Sequence, residues 1–395
     1  MSDCCIAGGG IIGLSLAREL AGRGMAVHVV ARTRGGDTTS WAAAGILPPA
    51  PLFAGCPPGD ALTAWSDQLH REWAHQLRSE TGIDNGLIPS GGLHLVRSSA
   101  GQNRLQNDLE RWQGRGVACE LLDAAGVLAC EPALAGGNDA SSILGGLLLP
   151  GEMQIRPSRH LDALEASCRD LGVVIEEGDV RQIIVRANRV ERFVTSSGEV
   201  RSENFVLATG SWTGGLAAAL GLTLDTRPIR GQIVLLRLPR PVIRRIVNRG
   251  LEYLVQRPDG RLLVGSTIED IGFDTGTTPH TVARLMGVAH SLLGELPGVE
   301  MERSWAGLRP GSADGLPSIG RVPDVDNAWI SAGHFRAGLH QSIGSAVLLA
   351  DLITGRPPHL DPAPFAPGRP RPAAGASAPP GSTADYLART AAAGD

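Results

Sequence analysis

The chain has 395 residues, more than a typical single core holds, which predicts two domains. It is 43% hydrophobic and 19% charged, the balance of a soluble globular protein. A net charge of −4 and a pI near 6.2 give no electrostatic basis for a nucleic-acid or anionic-membrane partner, and no apolar run is long enough to span a bilayer.

Met1-Ser2-Asp3-Cys4-Cys5 lacks a basic n-region, so no signal peptide is expected. The next segment, Ile6-Ala7-Gly8-Gly9-Gly10-Ile11-Ile12-Gly13, sets Gly8, Gly10 and Gly13 in G-x-G-x-x-G register. The first glycine allows a tight turn, the second lets backbone approach a pyrophosphate, and the third lets helix pack on strand. Ile12, Leu16, Ala17 and Leu20 recur at helical spacing, Arg18, Glu19 and Arg23 face outward, and Gly24 closes the helix. Residues 26–30 read as the next strand. Strand, turn, helix and strand together predict a dinucleotide whose phosphates meet the free N–H groups of the helix. Ala31 stands where this fold usually places an acid on the ribose hydroxyls. Arg32 beside it would suit a 2′-phosphate, the one local argument for NADP.

Residues 161–171 have helical spacing, and residues 173–176 form a short strand that ends at Gly178-Asp179-Val180. Residues 204–210 are an apolar strand breaking at Ala208-Thr209-Gly210. Residues 231–238 and 261–266 are strand-like, with Arg257-Pro258-Asp259-Gly260 as a turn between strands. Residues 328–333 are a strand entering a glycine turn. Residues 343–353 are an amphipathic helix stopped by Gly355 and Pro357-Pro358. The fold class is therefore α/β, with a Rossmann-like nucleotide domain interleaved with a mainly antiparallel β substrate domain. The expected division is 1–60, 155–215 and 310–357 for the first and 61–154 and 216–309 for the second. Residues 369–395, rich in Pro and Ala, are expected to be a disordered tail.

The six cysteines show no C-x-x-C spacing and read as buried small hydrophobes in a reducing, cytoplasmic protein. The ten histidines form no metal-binding pattern. All 36 basic residues are arginine. The missing lysine excludes a P-loop lysine, a Schiff base and any catalytic ammonium, and assigns anion binding to the planar guanidinium fork.

Four segments now stand in a fixed order: the Gly8–Gly13 turn, Thr39-Ser40-Trp41-Ala42-Ala43-Ala44-Gly45-Ile46-Leu47, Trp305-Ala306-Gly307-Leu308-Arg309-Pro310-Gly311, and Gly333-His334-Phe335-Arg336-Ala337-Gly338-Leu339. In that order and spacing, residues 3–357 resemble the D-amino acid oxidase family of two-dinucleotide-domain flavoproteins. Within it they are most similar to the glycine oxidase branch of bacterial thiamine biosynthesis. The resemblance implies non-covalent FAD, since Trp41 stands where flavinylated relatives carry histidine. The cofactor would be held by Gly8, Gly10, Ile11, Ile12, Gly13, Ala31, Arg32, Thr39, Ser40, Ala44, Gly45, Ile46, Val180 and Gly210. It would also be held by the run from Gly333 through His334, Phe335, Arg336, Ala337 and Gly338 to Leu339. Arg309 would clamp a substrate carboxylate, and Tyr253 would donate to it. The alternative for Arg309 is a surface arginine before a Pro310-Gly311 turn. Arg336 would lie beside the flavin, touching either substrate or only cofactor. Ile268, Phe335 and His340 would bound a compact pocket; His340 either faces substrate or is a solvated or capping residue.

The implied activity is oxidative deamination of glycine or another small amino acid or amine by hydride transfer to the flavin. It gives an imine or glyoxylate, ammonia and, with molecular oxygen, hydrogen peroxide. The absence of lysine disfavours the sarcosine oxidase branch, which uses a lysine for oxygen activation. The alternatives are a dehydrogenase of the same fold that passes electrons to a quinone or partner subunit, and a non-catalytic or tRNA-modification module. The missing basic patch speaks against the last. A homo-oligomer is expected.

Overall fold

The computed structural model describes residues 1–32 and 38–370. Six strands form one sheet, in the order Ser318–Arg321, Ala328–Ala332, Ser202–Leu207, Ser2–Ala7, Val27–Ala31, Val174–Glu177. All pairs are parallel except the Ser318–Arg321 edge. Ser2–Ala7 is central, so its Cys4, Cys5, Ile6 and Ala7 are buried, as both faces of a parallel strand must be. The helices Ile11–Gly22, Pro157–Asp170 and Gly338–Thr354 pack on one face through Leu16, Leu20, Leu161, Leu164, Ile343 and Leu349. Phe193, Phe205 and Val322 fill the other.

The residue 204–210 segment returns beside Ser2–Ala7 and the 328–333 segment beside that one in turn, where their apolar runs are covered on both sides. Val180 does not end the Val174–Glu177 strand; it opens the next one, Val180–Arg186, in a three-stranded antiparallel sheet. The 24-residue helix Pro58–Thr81 gave little sequence signal. It packs into the parallel-sheet core through Leu62, Trp73 and Leu77.

An eight-stranded sheet stands beside this body, in the order Glu300–Ser312, Thr226–Arg237, Arg261–Gly265, Glu252–Gln256, Ile246–Arg249, Gly92–Val96, Gly145–Leu149, Glu120–Asp123. Only the Ile246–Arg249/Gly92–Val96 pair is parallel. The helix Pro279–Leu293 covers one face with Leu285, Val288 and Leu292, and the other face looks toward the parallel sheet. Of the expected tail, Arg369 donates to both carboxylate oxygens of Asp314 at 2.8 and 3.0 Å, and residues 371–395 lie outside the described residues. All six cysteines are free thiols. Among the described residues no helix is long and apolar enough to cross a membrane.

Candidate active site

A cavity of about 1190 Å³ runs from the glycine turn, between the two large sheets, to Tyr253 and Arg309. At the turn, a Cβ on Gly13 would lie 1.8 Å from the Gly8 carbonyl oxygen, so only glycine lets this helix sit on its strand. Gly13 therefore packs the element and stays off the cavity wall, while Gly8, Gly10, Ile11 and Ile12 line it. Ser40 Oγ accepts from Ile11 N at 2.9 Å, and the Thr39 hydroxyl donates to the Leu308 carbonyl.

Two helices open onto this cavity, Ile11–Gly22 and Gly338–Thr354. Neither has an acidic residue in its first turn or a side chain capping from its N-cap position. Apart from Ile11 N, which donates to Ser40 Oγ, their N-termini therefore offer partial positive charge and N–H groups, which fits a long cofactor with a pyrophosphate at one helix and an anionic ring at the other. Ala44, Gly45 and Ile46 line the wall between them. Arg257 braces that wall: its guanidinium donates to Ala44 O at 2.7 Å, Gln154 Oε1 at 2.6 Å and Ile155 O at 3.0 Å. Burial pulls its pKa down to about 10, so it stays charged. Local sequence shows only a turn at Arg257-Pro258-Asp259-Gly260, because the contacts of Arg257 join segments more than 100 residues apart.

At the far end of the glycine turn the cavity is lined by Ala31, Arg32, Val180, Gly210 and Trp212. Arg32 stacks on Trp212, 4.1 Å from the ring centre, and its Nε stands 3.5 Å from Asp179. Its charge is thus answered within the protein and needs no 2′-phosphate. Gly333 lies off the cavity wall and makes the turn after the Ala328–Ala332 strand, with φ 82°. His334, Phe335, Arg336, Ala337, Gly338 and Leu339 all line the cavity. The His334 ring turns inward to Ser345 Oγ at 3.0 Å, and burial lowers its pKa to about 3.

Arg309 is not a surface residue before a turn. It sits inside the 13-residue strand Glu300–Ser312, with Pro310 paired to Pro228. Its Nη1 donates to Thr267 O at 3.0 Å and its Nη2 to Ser266 Oγ at 2.9 Å. These spend two of five N–H donors, and Arg309 lines the cavity. Burial, then the nearby Arg336, lowers its pKa to about 10, which leaves it protonated at neutral pH. The guanidinium occupies the space above Gly231, and the Tyr253 ring occupies that above Gly265. Ile233 pairs with Gly265, so both glycines belong to one sheet face and the two side chains converge on it. Arg336 is exposed and lines the same cavity.

One expectation about the pocket wall changes. Ile268 is buried behind Phe335 and against Ile229, and Leu251 lines the cavity instead. His340 lines the cavity and is neither solvated nor a cap: it is buried, and its Nε2 meets Asp67 Oδ1 at 2.8 Å. Asp67 lies on the helix that sequence periodicity did not reveal.

The model of the FAD dependent oxidoreductase family (DAO) matches residues 3–352. The chain is 35% identical to a glycine oxidase of Pseudomonas aeruginosa over 364 residues, covering 92% of this chain and 97% of that protein. It is 34% identical over 360 residues to a bifunctional protein ThiO/ThiG of Synechocystis sp., covering 89% of this chain and 51% of that one. The crystal structure of glycine oxidase from Geobacillus kaustophilus superposes with a TM-score of 0.88 at 30% identity, covering 94% and 99% of the two chains. The fold is accordingly an FAD Rossmann domain joined to a β substrate domain, and FAD is the cofactor. The chain is an FAD-dependent amino acid oxidase and belongs to the DAO family of FAD dependent oxidoreductases.

Proposed function

We propose that the protein oxidises glycine or another small amino acid or amine at its α-carbon, with molecular oxygen as final electron acceptor. The observation that carries this is the convergence of Arg309 and Tyr253 above Gly231 and Gly265, in the cavity that continues to the glycine turn. FAD, when bound, supplies the acceptor for the two electrons. Arg309, already oriented by Ser266 and Thr267, offers a bidentate fork to the carboxylate, and the Tyr253 hydroxyl adds a third donor. Phe335 and Leu251 supply an apolar wall to the same cavity. Loss of the α-hydrogen with its electron pair and of one amine proton leaves an imine. Its hydrolysis gives glyoxylate and ammonia when the substrate is glycine. The proposed role in supplying thiazole synthesis for thiamine draws support from the ThiO/ThiG relative.

The test is a peroxide assay of the purified yellow protein with glycine, sarcosine, D-alanine and D-proline. Stoichiometric peroxide with glycine or sarcosine is expected. Flavin reduction by these substrates without peroxide would assign the electrons to another acceptor. No reduction by any of them would overturn the substrate class.

A further inference from the structure

The cavity does not end at Tyr253. Asn248 pairs across the larger sheet with Tyr253 on one side and with His94 on the other. Residues directly opposite one another share a face, so the three side chains leave the sheet in a row. His94 stands two strand spacings from Tyr253, about 9–10 Å. All three line the cavity, together with Glu152. Glu152 is only 1% exposed, and its carboxylate is seated against Gly92, where a Cβ would come within 2.1 Å of Oε2.

The donors and acceptors of this cluster are unbalanced. His94 Nε2 donates to Glu152 Oε2 at 2.8 Å, and Asn248 Nδ2 donates to Glu152 Oε1 at 3.3 Å. Asn248 Nδ2 also stands 3.3 Å from His94 Nε2, and in the neutral ring the carboxylate keeps the proton on Nε2. That leaves His94 Nδ1 and Asn248 Oδ1 as acceptors that no donor reaches among the described residues. Behind them lies a buried negative charge. The cations at the rim are already paired, Arg111 with Asp108 at 2.8 Å and Arg115 with Asp60 at 3.1 Å. A site of acceptors backed by a carboxylate is completed by a cationic donor.

Glycine anchored at Arg309 has no group that extends toward Asn248 and His94. We propose that His94, Asn248 and Glu152 form a second subsite of the substrate cavity, which takes an ammonium-bearing terminus of a substrate longer than glycine. The substrate range then includes α-amino acids or N-substituted glycines that carry a second, terminal amine. This inference rests on the reading that Arg309 and Tyr253 hold the carboxylate.

The test uses ligands without an α-amine, which cannot be oxidised: aminoalkoxyacetates with two to four methylenes before the ammonium, each against the alkoxyacetate of equal heavy-atom count. Binding to the holoenzyme is read from perturbation of the flavin absorption. At least one amine-terminated ligand should bind about tenfold tighter than its alkyl partner, the effect of one charge-assisted contact. Glu152→Gln and, separately, Asn248→Leu should bring that ratio to within about twofold of unity. Each ratio is taken within one variant, so a loss of shared carboxylate affinity cancels. No preference in the wild-type protein, or one that survives both substitutions, would overturn the subsite. Arg309→Leu supplies the separate control: unchanged affinity for every ligand there defeats the carboxylate reading, while the amine-to-alkyl ratio still reports on Glu152.

Discussion

The guanidinium of Arg309 lies over Gly231 of the neighbouring strand so closely that a Cβ there would stand 2.2 Å from Nη1. The backbone of Gly231 is ordinary paired strand, so the requirement is for space alone. Gly231→Ala should fold and retain FAD, but push the guanidinium off its Ser266 and Thr267 partners. Glycolate affinity should fall by roughly tenfold or more, the cost of a misdirected charged hydrogen bond. Titration of the flavin absorption with glycolate checks this.

Arg309→Leu should leave the flavin spectrum intact and weaken carboxylate ligands by ~2–5 kcal/mol, the usual loss when one partner of a desolvated charged pair is removed. Arg309→Lys should also be impaired, since an ammonium cannot reach Thr267 O, Ser266 Oγ and a carboxylate with planar geometry. An unchanged Michaelis constant for glycine in Arg309→Leu would place the carboxylate elsewhere.

Tyr253→Phe keeps the ring over Gly265 and removes one donor. A loss of about 1.5–3 kcal/mol in transition-state stabilisation is expected, expressed mostly in substrate binding. Anaerobic flavin reduction at saturating substrate should persist. Its complete loss would make the hydroxyl a required base and contradict the positioning role.

His340 is engaged with Asp67, so His340→Leu should preserve the ranking of substrates and the shape of the pH–rate profile. It should lower stability by about 1–3 kcal/mol, because Asp67 loses its hydrogen-bond partner in a partly buried place. Thermal unfolding and a substrate panel separate the two effects. A changed ranking would put the imidazole against substrate.

Acid should destabilise the fold through its buried histidines. Burial above all lowers His70 to about 4, and both His160 and His334 to about 3. Unfolded histidine titrates near 6.5, so below that pH the unfolded chain binds more protons than the folded one. Stability should therefore be full above about pH 6.5 and fall as pH drops toward 4, by on the order of 3 kcal/mol for His70 alone. Denaturant unfolding between pH 7.5 and 4.5 measures it. His160→Gln removes one titrating ring and should flatten the curve over that window.

The glycine turn was legible in the sequence because its chemistry is local. Gly8, Gly10 and Gly13 meet one another within a single strand–turn–helix, and so spacing alone states the constraint. The same holds for the apolar strands around Phe205 and Ile330, whose continuous hydrophobic runs announce burial on both faces. The Pro58–Thr81 helix has a weak periodic signal because its buried positions are few and mixed with polar ones, including Ser66 and His70. Only packing against the final helix shows which face is inside.

The substrate end belongs to tertiary structure. Arg309 and Tyr253 could be singled out by resemblance, but the two glycines that make room for them, and Ser266 and Thr267 that aim the arginine, are joined only through sheet pairing. His340 shows the same limit: its sequence position opens a helix, yet its partner Asp67 lies 273 residues away. Turns and hydrophobic periods depend on neighbours along the backbone, so a dinucleotide-binding α/β chain is readable from residue order alone. Which polar side chains face one another across the cavity was decided by the fold, because strand register and helix docking bring together groups that no local spacing relates.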